Sequence, residues 1–118
     1  MPEFMDPFKG MVPGRKLNPR ELSRALRLAL AAEEEAIHLY ETLADATDHK
    51  LAKKVLQDVA NEEREHAGEF QRLINILLPD EALFMGHGAK EVDEMAEDLA
   101  PKRAKARKTA AKPVKGKK

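Results

Sequence analysis

Apolar residues recur at the three- and four-residue spacing of an amphipathic helix through two long stretches of the chain. The first stretch opens at residues 18–21, Asn-Pro-Arg-Glu, and runs to about Ala46. This opening is a typical helix start, with an N-cap Asn, Pro at the first helical position and Glu at the third. The second stretch runs over about residues 49–78, after a cap predicted at Thr47 and Asp48, and Pro79 ends it. Two long helices with a tight connection predict an antiparallel helical hairpin.

The segments on either side of the hairpin are shorter or irregular. Residues 1–17 contain three prolines and two glycines, which predicts an irregular N-terminal segment. After Pro79, the pattern predicts a short helical turn over residues 80–85, closed by Gly86-His87-Gly88, and then a third helix over residues 89–99. The helical domain is therefore placed at residues 18–99. Residues 100–118 are predicted to form a disordered basic tail.

The composition agrees with an all-α protein. Ala, Leu, Glu, Lys and Arg dominate, all of them good helix formers, while aromatic residues make up 4% and Trp is absent, which argues against a large β-sandwich core. A hairpin of two helices leaves too much apolar surface exposed to stand alone, and the third helix is short. We therefore expect the hairpin to complete a four-helix bundle by dimerisation.

The charges are distributed unevenly although the formal net charge is zero. Residues 101–118 hold nine of the 21 basic side chains and none of the 21 acidic ones, so an acidic body precedes a basic tail. No run of apolar residues is long enough to cross a membrane, and the N-terminal residues do not resemble a signal peptide. We expect a cytoplasmic protein without membrane contact.

Four polar residues interrupt the apolar stripes of the two long helices. Glu33 lies near the middle of the stripe predicted for the first helix. On the second helix, His66 lies near the centre of the stripe, with Glu62 and Glu63 on either side of it. A carboxylate among aliphatic groups is costly unless it is paired, protonated or bound to a metal. Since both sets lie at similar distances from the predicted turn, we expect Glu33 to meet Glu63 and His66.

Glu63 and His66 have the Glu-x-x-His spacing that occurs in di-iron carboxylate bundles, where it places both ligands on one helix face. The chain has no cysteine, so histidine and carboxylate groups are its only strong metal ligands. A complete di-iron site needs two Glu and two Glu-x-x-His sets, and residues 80–118 offer no second set. We therefore expect a two-fold related copy to supply it, giving two iron ions per dimer, with manganese or zinc as substitutes.

Less specific interpretations of the same residues remain open. A Glu-x-x-His pair in a Glu-rich helix is usually a solvated or salt-bridged surface, and Glu33 alone could form an ion pair with an arginine across an interface. Residues 33–35 also fit a solvated run of charge. Tyr40 is more often a core or interface residue than a ligand. The remaining histidines are expected at the surface: His38, His49 and His87.

The segments AAEEEAIHLYE, over residues 31–41, and LQDVANEEREHAGEF, over residues 56–70, resemble the ferritin-like superfamily. The resemblance is strongest to the short encapsulated ferritin-like proteins, and it covers about residues 18–99. Rubrerythrin-type proteins share the Glu…Glu-x-x-His pattern but hold both halves in one chain. The resemblance implies a ferritin-like bundle formed by a dimer, a further assembly of dimers into a ring, and housing inside an encapsulin shell.

The resemblance also implies roles for individual residues. The iron-ligand positions of the family fall on Glu33, Glu63 and His66, and its nearby tyrosine falls on Tyr40. Glu35 matches one member of a second acidic group that gathers metal at the mouth of the site. The other member of that group is replaced by Ala32, and the aromatic residue before the tyrosine is replaced by Leu39. The resemblance therefore implies the iron site in full and the outer acidic group only in part.

These observations lead to one expected function and two alternatives. The expected function is a ferroxidase, a di-iron oxidoreductase that oxidises Fe²⁺ to Fe³⁺ for iron storage or detoxification in the cytoplasm, inside an encapsulin nanocompartment. The first alternative is a rubrerythrin-type protein that reduces peroxide. The second is a non-enzymatic helical dimer whose basic tail binds nucleic acid. The bridging Glu, the oxidant, the metal actually loaded and the oligomer size beyond a dimer are left open by the sequence.

Overall fold

The computed structural model describes residues 14–101, and the regular structure within this range is entirely helical. Helix α1 spans Pro19–Asp45, helix α2 spans Lys50–Leu77 and helix α3 spans Glu81–Leu99. Helices α1 and α2 pack on each other as a hairpin. The predicted all-α class and the long hairpin are thus confirmed. The predictions for most of the N-terminal segment and for the basic tail lie outside the described residues.

Helix α1 begins with the predicted capping box. The Asn18 side chain accepts a hydrogen bond from the Glu21 backbone N–H at 2.8 Å, and the Asn18 backbone N–H donates to the Glu21 carboxylate at 3.1 Å. The Arg15 guanidinium donates two further hydrogen bonds of 2.6 Å to the same carboxylate. The hydrogen bonds to the Glu21 carboxylate, those from Arg15 first and then the one from Asn18, lower the pKa of Glu21 to about 2. The start of α1 is therefore fixed by local hydrogen bonds that the sequence encodes.

Replacing Asn18 with Ala is expected to lower the free energy of unfolding by about 1 kcal/mol, because the first turn of α1 then loses its side-chain acceptor. Urea denaturation followed by far-UV circular dichroism measures this change. Asp48→Ala is the matched control, since Asp48 is exposed and does not cap α2. A loss for Asp48→Ala as large as that for Asn18→Ala would contradict the assigned caps.

The connection between α1 and α2 corrects one sequence prediction. The N-cap of α2 is His49, whose Nδ1 atom accepts a hydrogen bond from the Ala52 backbone N–H at 3.1 Å, and not Thr47 or Asp48. The Thr47 hydroxyl accepts a hydrogen bond from the His49 N–H at 3.1 Å. Imidazole nitrogen can take the place of the usual oxygen acceptor at a cap, because its lone pair serves the same unpaired N–H groups.

A narrow line of side chains, most of them small, forms the interior of the hairpin. In α2 the buried residues are Ala60, Ala67 and Ile74, which are spaced by seven, and in α1 they are Ser23 and Ala44. The Ser23 hydroxyl donates to the Arg20 carbonyl at 2.6 Å, so its burial leaves that donor satisfied. Small residues let the two helix backbones approach closely.

Several members of the predicted apolar stripes remain exposed within the single chain. They are Leu22 on α1, and Leu51, Val55 and Leu73 on α2. Two packed helices can bury only the line along which they touch, so the rest of each stripe needs another partner. Exposure of these four residues agrees with the prediction that the hairpin alone leaves apolar surface uncovered.

Helix α3 is longer than predicted. It starts at Glu81 rather than at residue 89 and continues through Gly86 and Gly88, neither of which has a positive φ angle. Glycine lowers helix stability by roughly 1 kcal/mol but keeps its backbone N–H, whereas proline removes that donor and clashes with the preceding turn. Gly86-His87-Gly88 therefore weakens the helix without ending it.

The described residues divide into two units, residues 14–81 and residues 82–101. Within the first unit, the Arg27 guanidinium donates hydrogen bonds of 2.9 and 2.7 Å to the Glu81 carboxylate, just after the turn at Pro79. In the second unit, α3 exposes a set of large apolar side chains: Leu83, Phe84, Met85, Val92, Met95 and Leu99. None of the described helices is long and apolar enough to span a membrane.

The Arg27–Glu81 pair is expected to make stability depend on pH. The hydrogen bonds from Arg27 lower the pKa of Glu81 below its ordinary value of 4.5. The folded state therefore favours the ionised carboxylate. The resulting stabilisation is fully present at pH values above 4.5, and it is lost as the pH falls through the lowered pKa that Glu81 has in the folded state. We expect Arg27→Met to lower the urea midpoint at pH 7.

This difference from the wild type should shrink steadily as the pH falls below 4.5. Arg72→Met, which removes an exposed arginine from α2, is the control for the loss of one positive charge. A midpoint difference between wild type and Arg27→Met that stays constant down to the acid range would contradict the role of Glu81.

Candidate metal centre

The three residues singled out from the apolar stripes lie together midway along the hairpin. Glu33 lies twelve residues before the end of α1, and Glu63 lies thirteen residues after the start of α2. One ligand atom from each of Glu33, Glu63 and His66 lies within 4.8 Å of the others. The convergence expected from the matched depth along the two helices is therefore present in the structure.

His66 turns one particular nitrogen towards the two carboxylates. Its Nδ1 atom lies 3.0 Å from Glu63 Oε1, within hydrogen-bond distance, and 3.7 Å from Glu33 Oε1. Glu63 and His66 are one helical turn apart, so their side chains project from the same face of α2. The arrangement places two oxygen donors and one nitrogen donor around a single point.

The burial of the cluster is uneven. The side chains of Glu33 and Glu63 retain 21% and 20% of their accessible surface, whereas His66 retains 51%. The Oε1 atom of Glu33 is buried and has no hydrogen-bond partner within residues 14–101. A buried carboxylate oxygen without a partner is costly, and a bound cation would satisfy it. This oxygen is the local observation that best fits a metal ion.

The three groups also shift one another's pKa values. The neighbouring Glu63 carboxylate and burial raise the pKa of Glu33, while the interactions with Glu33 and then His66 lower the pKa of Glu63. Hydrogen bonding to Glu63 raises the pKa of His66. The raised pKa of Glu33 shows that a second negative charge at this position is unfavourable. A divalent cation between the two carboxylates would offset that charge.

The donor set matches hard and borderline metal ions. Carboxylate oxygen and imidazole nitrogen suit iron and manganese and also accept zinc. The chain supplies three donor groups here, fewer than the four to six ligands that these ions usually take. The residues present therefore fit a metal site that is completed by additional donors.

The other candidate site residues lie outside this cluster. Glu35 and Glu62 are exposed, and neither belongs to the group of converging ligand atoms. Tyr40 is half-buried, seven residues after Glu33 on the same face of α1. His38 and His87 are exposed, as expected for surface residues, and His49 caps α2. A part for Glu35, Glu62 or Tyr40 in the site stays a prediction.

Comparison with known proteins agrees with this geometry. A sequence profile of the rubrerythrin family matches residues 19–113. The encapsulin nanocompartment cargo protein EncC of Myxococcus xanthus is 49% identical over 77 residues, which are 65% of this chain and 58% of the relative. A ferritin-like–encapsulin shell fusion protein of Pyrococcus furiosus is 43% identical over 75 residues, 64% of this chain and 22% of the relative. The chain thus spans less than two thirds of either relative.

The fold has a close counterpart among solved structures. The crystal structure of the encapsulated ferritin domain from Pyrococcus furiosus matches with a TM-score of 0.66 and 38% sequence identity, over 72% of this chain and 88% of that one. The family profile covers both helices that carry Glu33, Glu63 and His66. With the cluster, the helical hairpin and these matches in agreement, the chain belongs to the rubrerythrin family of ferritin-like proteins, whose members bind two iron ions and are generally oxidoreductases.

Proposed function

We propose that this protein is a ferroxidase that oxidises Fe²⁺ to Fe³⁺ at a site formed between two copies of the chain. Each copy supplies Glu33, Glu63 and His66. The observation that carries the proposal is the convergence of these three side chains around a buried carboxylate oxygen that accepts no hydrogen bond from the described part of the chain. We propose residues 18–99 as the ferritin-like helical part of the chain, with all three site residues in its first unit.

Two features support a second copy at the site. First, a two-fold axis beside the cluster would double three donor groups to six, the set that di-iron carboxylate bundles use. Second, large apolar side chains lie exposed near the cluster: Leu73, two turns after His66 on the same face of α2, is 45% exposed. Burying such side chains against a partner would stabilise the dimer at about 25 cal/mol per Å² of apolar surface.

The protein's own residues prepare the site for Fe²⁺. The carboxylates of Glu33 and Glu63 neutralise the cation's charge, and His66 Nδ1 contributes a nitrogen lone pair. Carboxylates bind a cation in their deprotonated form, so Fe²⁺ competes with protons for Glu33, whose pKa is raised. The substrate, Fe²⁺, loses one electron to dioxygen or peroxide and leaves as Fe³⁺. We include Tyr40 in the site because it follows Glu33 by two turns on the same face of α1.

Metal analysis combined with native mass spectrometry tests the proposal. We expect a dimer, or a multiple of it, that retains about two iron ions per dimer after anaerobic loading. His66→Ala should keep the helical content and lose the iron. A monomer that binds no iron under these conditions would reject the shared site.

The names of the relatives support a location as well as an activity. EncC is an encapsulin nanocompartment cargo protein, and the Pyrococcus furiosus protein joins a ferritin-like part to an encapsulin shell. We propose that this chain likewise works inside an encapsulin shell in the cytoplasm, where Fe³⁺ can accumulate outside the small hairpin. Co-expression with an encapsulin and co-purification of the two chains test this location.

A second candidate function is peroxide reduction, which the match to the rubrerythrin family favours. Both activities use the same metal ligands, so the oxidant distinguishes them. A ferroxidase should turn over with dioxygen and yield ferric mineral. A peroxide-reducing enzyme should prefer hydrogen peroxide and yield no mineral. Binding of nucleic acid by the tail stays a prediction, for which a gel shift that is lost on truncation after Ala100 is the test.

A further inference from the structure

The imidazole of His66 has one nitrogen engaged and one free. Its Nδ1 atom faces Glu63 and Glu33, while its Nε2 atom makes no hydrogen bond to any of the described residues 14–101. An imidazole that binds a metal through one nitrogen usually donates the N–H of the other to a carboxylate, a backbone carbonyl or water. That partner fixes the tautomer and the orientation of the ring. His66 is half exposed, so such a partner has room to approach.

Glu69 is the residue of α2 best placed to be that partner. It lies one turn after His66, so the two side chains project from neighbouring positions on the helix surface. Side chains on a helix lean towards its N-terminus, so the Glu69 side chain covers the turn that carries His66. Glu69 is exposed and forms no hydrogen bond or ion pair with another described residue, which leaves its carboxylate available.

The electrostatics of the ring agree with this placement. The pKa of His66 is raised first by the hydrogen bond to Glu63, and the charges of Glu63, Glu33 and Glu69 add to the increase.

We propose that Glu69 is a positioning residue, which in the metal-loaded protein turns to accept a hydrogen bond from His66 Nε2–H and so keeps the Nδ1 lone pair directed at the metal. The inference rests on the proposed metal site and adds to it an outer residue of each copy. Loss of such an outer partner weakens metal binding by about 10–100-fold. The carboxylate also makes Nδ1 a stronger donor, since it stabilises the partial positive charge on the ring.

Metal affinity measured without turnover tests the role. We expect Glu69→Ala to weaken Fe²⁺ binding in anaerobic titration calorimetry by about tenfold or more. Glu69→Gln should fall between Glu69→Ala and the wild type, because an amide oxygen can accept the hydrogen bond but lacks the charge. Glu65→Ala removes an equal charge one residue from His66 and should bind Fe²⁺ like the wild type.

A spectroscopic readout separates positioning from a general structural effect. In zinc-loaded protein with ¹⁵N-labelled histidine, the Nε2 resonance of His66 should report a protonated, hydrogen-bonded nitrogen that shifts in Glu69→Ala and not in Glu65→Ala. The metal-free melting temperatures of both variants should match that of the wild type, since both sites are exposed.

The positioning role would be overturned if Glu69→Ala bound Fe²⁺ as tightly as the wild type and its Nε2 resonance were unchanged. If the wild type bound Fe²⁺ tightly in that experiment, the proposed metal site would still stand. If instead the wild type bound Fe²⁺ no better than His66→Ala, the proposed function itself would fail, and the role of Glu69 with it.

Discussion

His66→Ala is expected to slow the oxidation of Fe²⁺ by more than about 100-fold, because loss of a partner to a ligand already costs about 10–100-fold and this change removes the ligand itself. The imidazole supplies the only nitrogen in the converging set, and the two carboxylates alone leave the cation with fewer strong donors. The formation of Fe³⁺ under air, followed by absorbance at a saturating concentration of Fe²⁺, measures the rate.

His38→Ala provides the matched control for this experiment. It removes an imidazole from an exposed position of α1 and should leave the oxidation rate unchanged. Glu63→Ala should resemble His66→Ala, since both ligands lie on one face of α2. A wild-type rate in both ligand variants would disprove the site, and a comparable loss in His38→Ala would point to a histidine outside the cluster.

Ile74→Ala is expected to lower the free energy of unfolding by about 2–5 kcal/mol, a large part of the stability of a small domain. Among residues 14–101, Ile74 is the largest fully buried side chain, with 0% exposure, so its truncation leaves a cavity between the two long helices. Denaturation in urea, monitored on metal-free protein, measures the loss without a contribution from metal binding.

Ile76→Ala makes the same chemical change two residues away, where the side chain is 58% exposed. Its cost should be much smaller, because most of the surface removed was already in contact with water. The comparison also reports on assembly. If Ile76→Ala cost as much as Ile74→Ala, the single hairpin would not be the unit that determines stability.

The main helices could be predicted because their signals are local. The capping box at the start of α1 and the proline after α2 act within a few residues, and the structure places both helix ends within about two residues of the prediction. The meeting of Glu33 with Glu63 and His66 could also be predicted. It follows from helix periodicity and from the nearly equal distances of these residues from the turn.

Other features depended on competition between weak effects. Whether Gly86 and Gly88 end a helix depends on the stability of the turns around them, which the propensity of two residues does not decide. The cap at His49 was missed because histidine is a less common cap than Thr47 or Asp48. Periodicity predicts an apolar face but not the part of it that touches the partner helix, so the narrow buried line of Ala60, Ala67 and Ile74 could not be predicted from the sequence.

The alanines inside the hairpin have a consequence for the choice of metal. Ala67 directly follows His66, and Ala60 precedes Glu63 by three residues, so the smallest side chains flank the ligands on α2. The separation of the two helix backbones at this level sets how far apart the carboxylates can stand, and hence the ionic radius that they fit. In the proposed site, we therefore expect the methyl groups of Ala60 and Ala67 to influence which of several similar cations binds, without themselves being ligands.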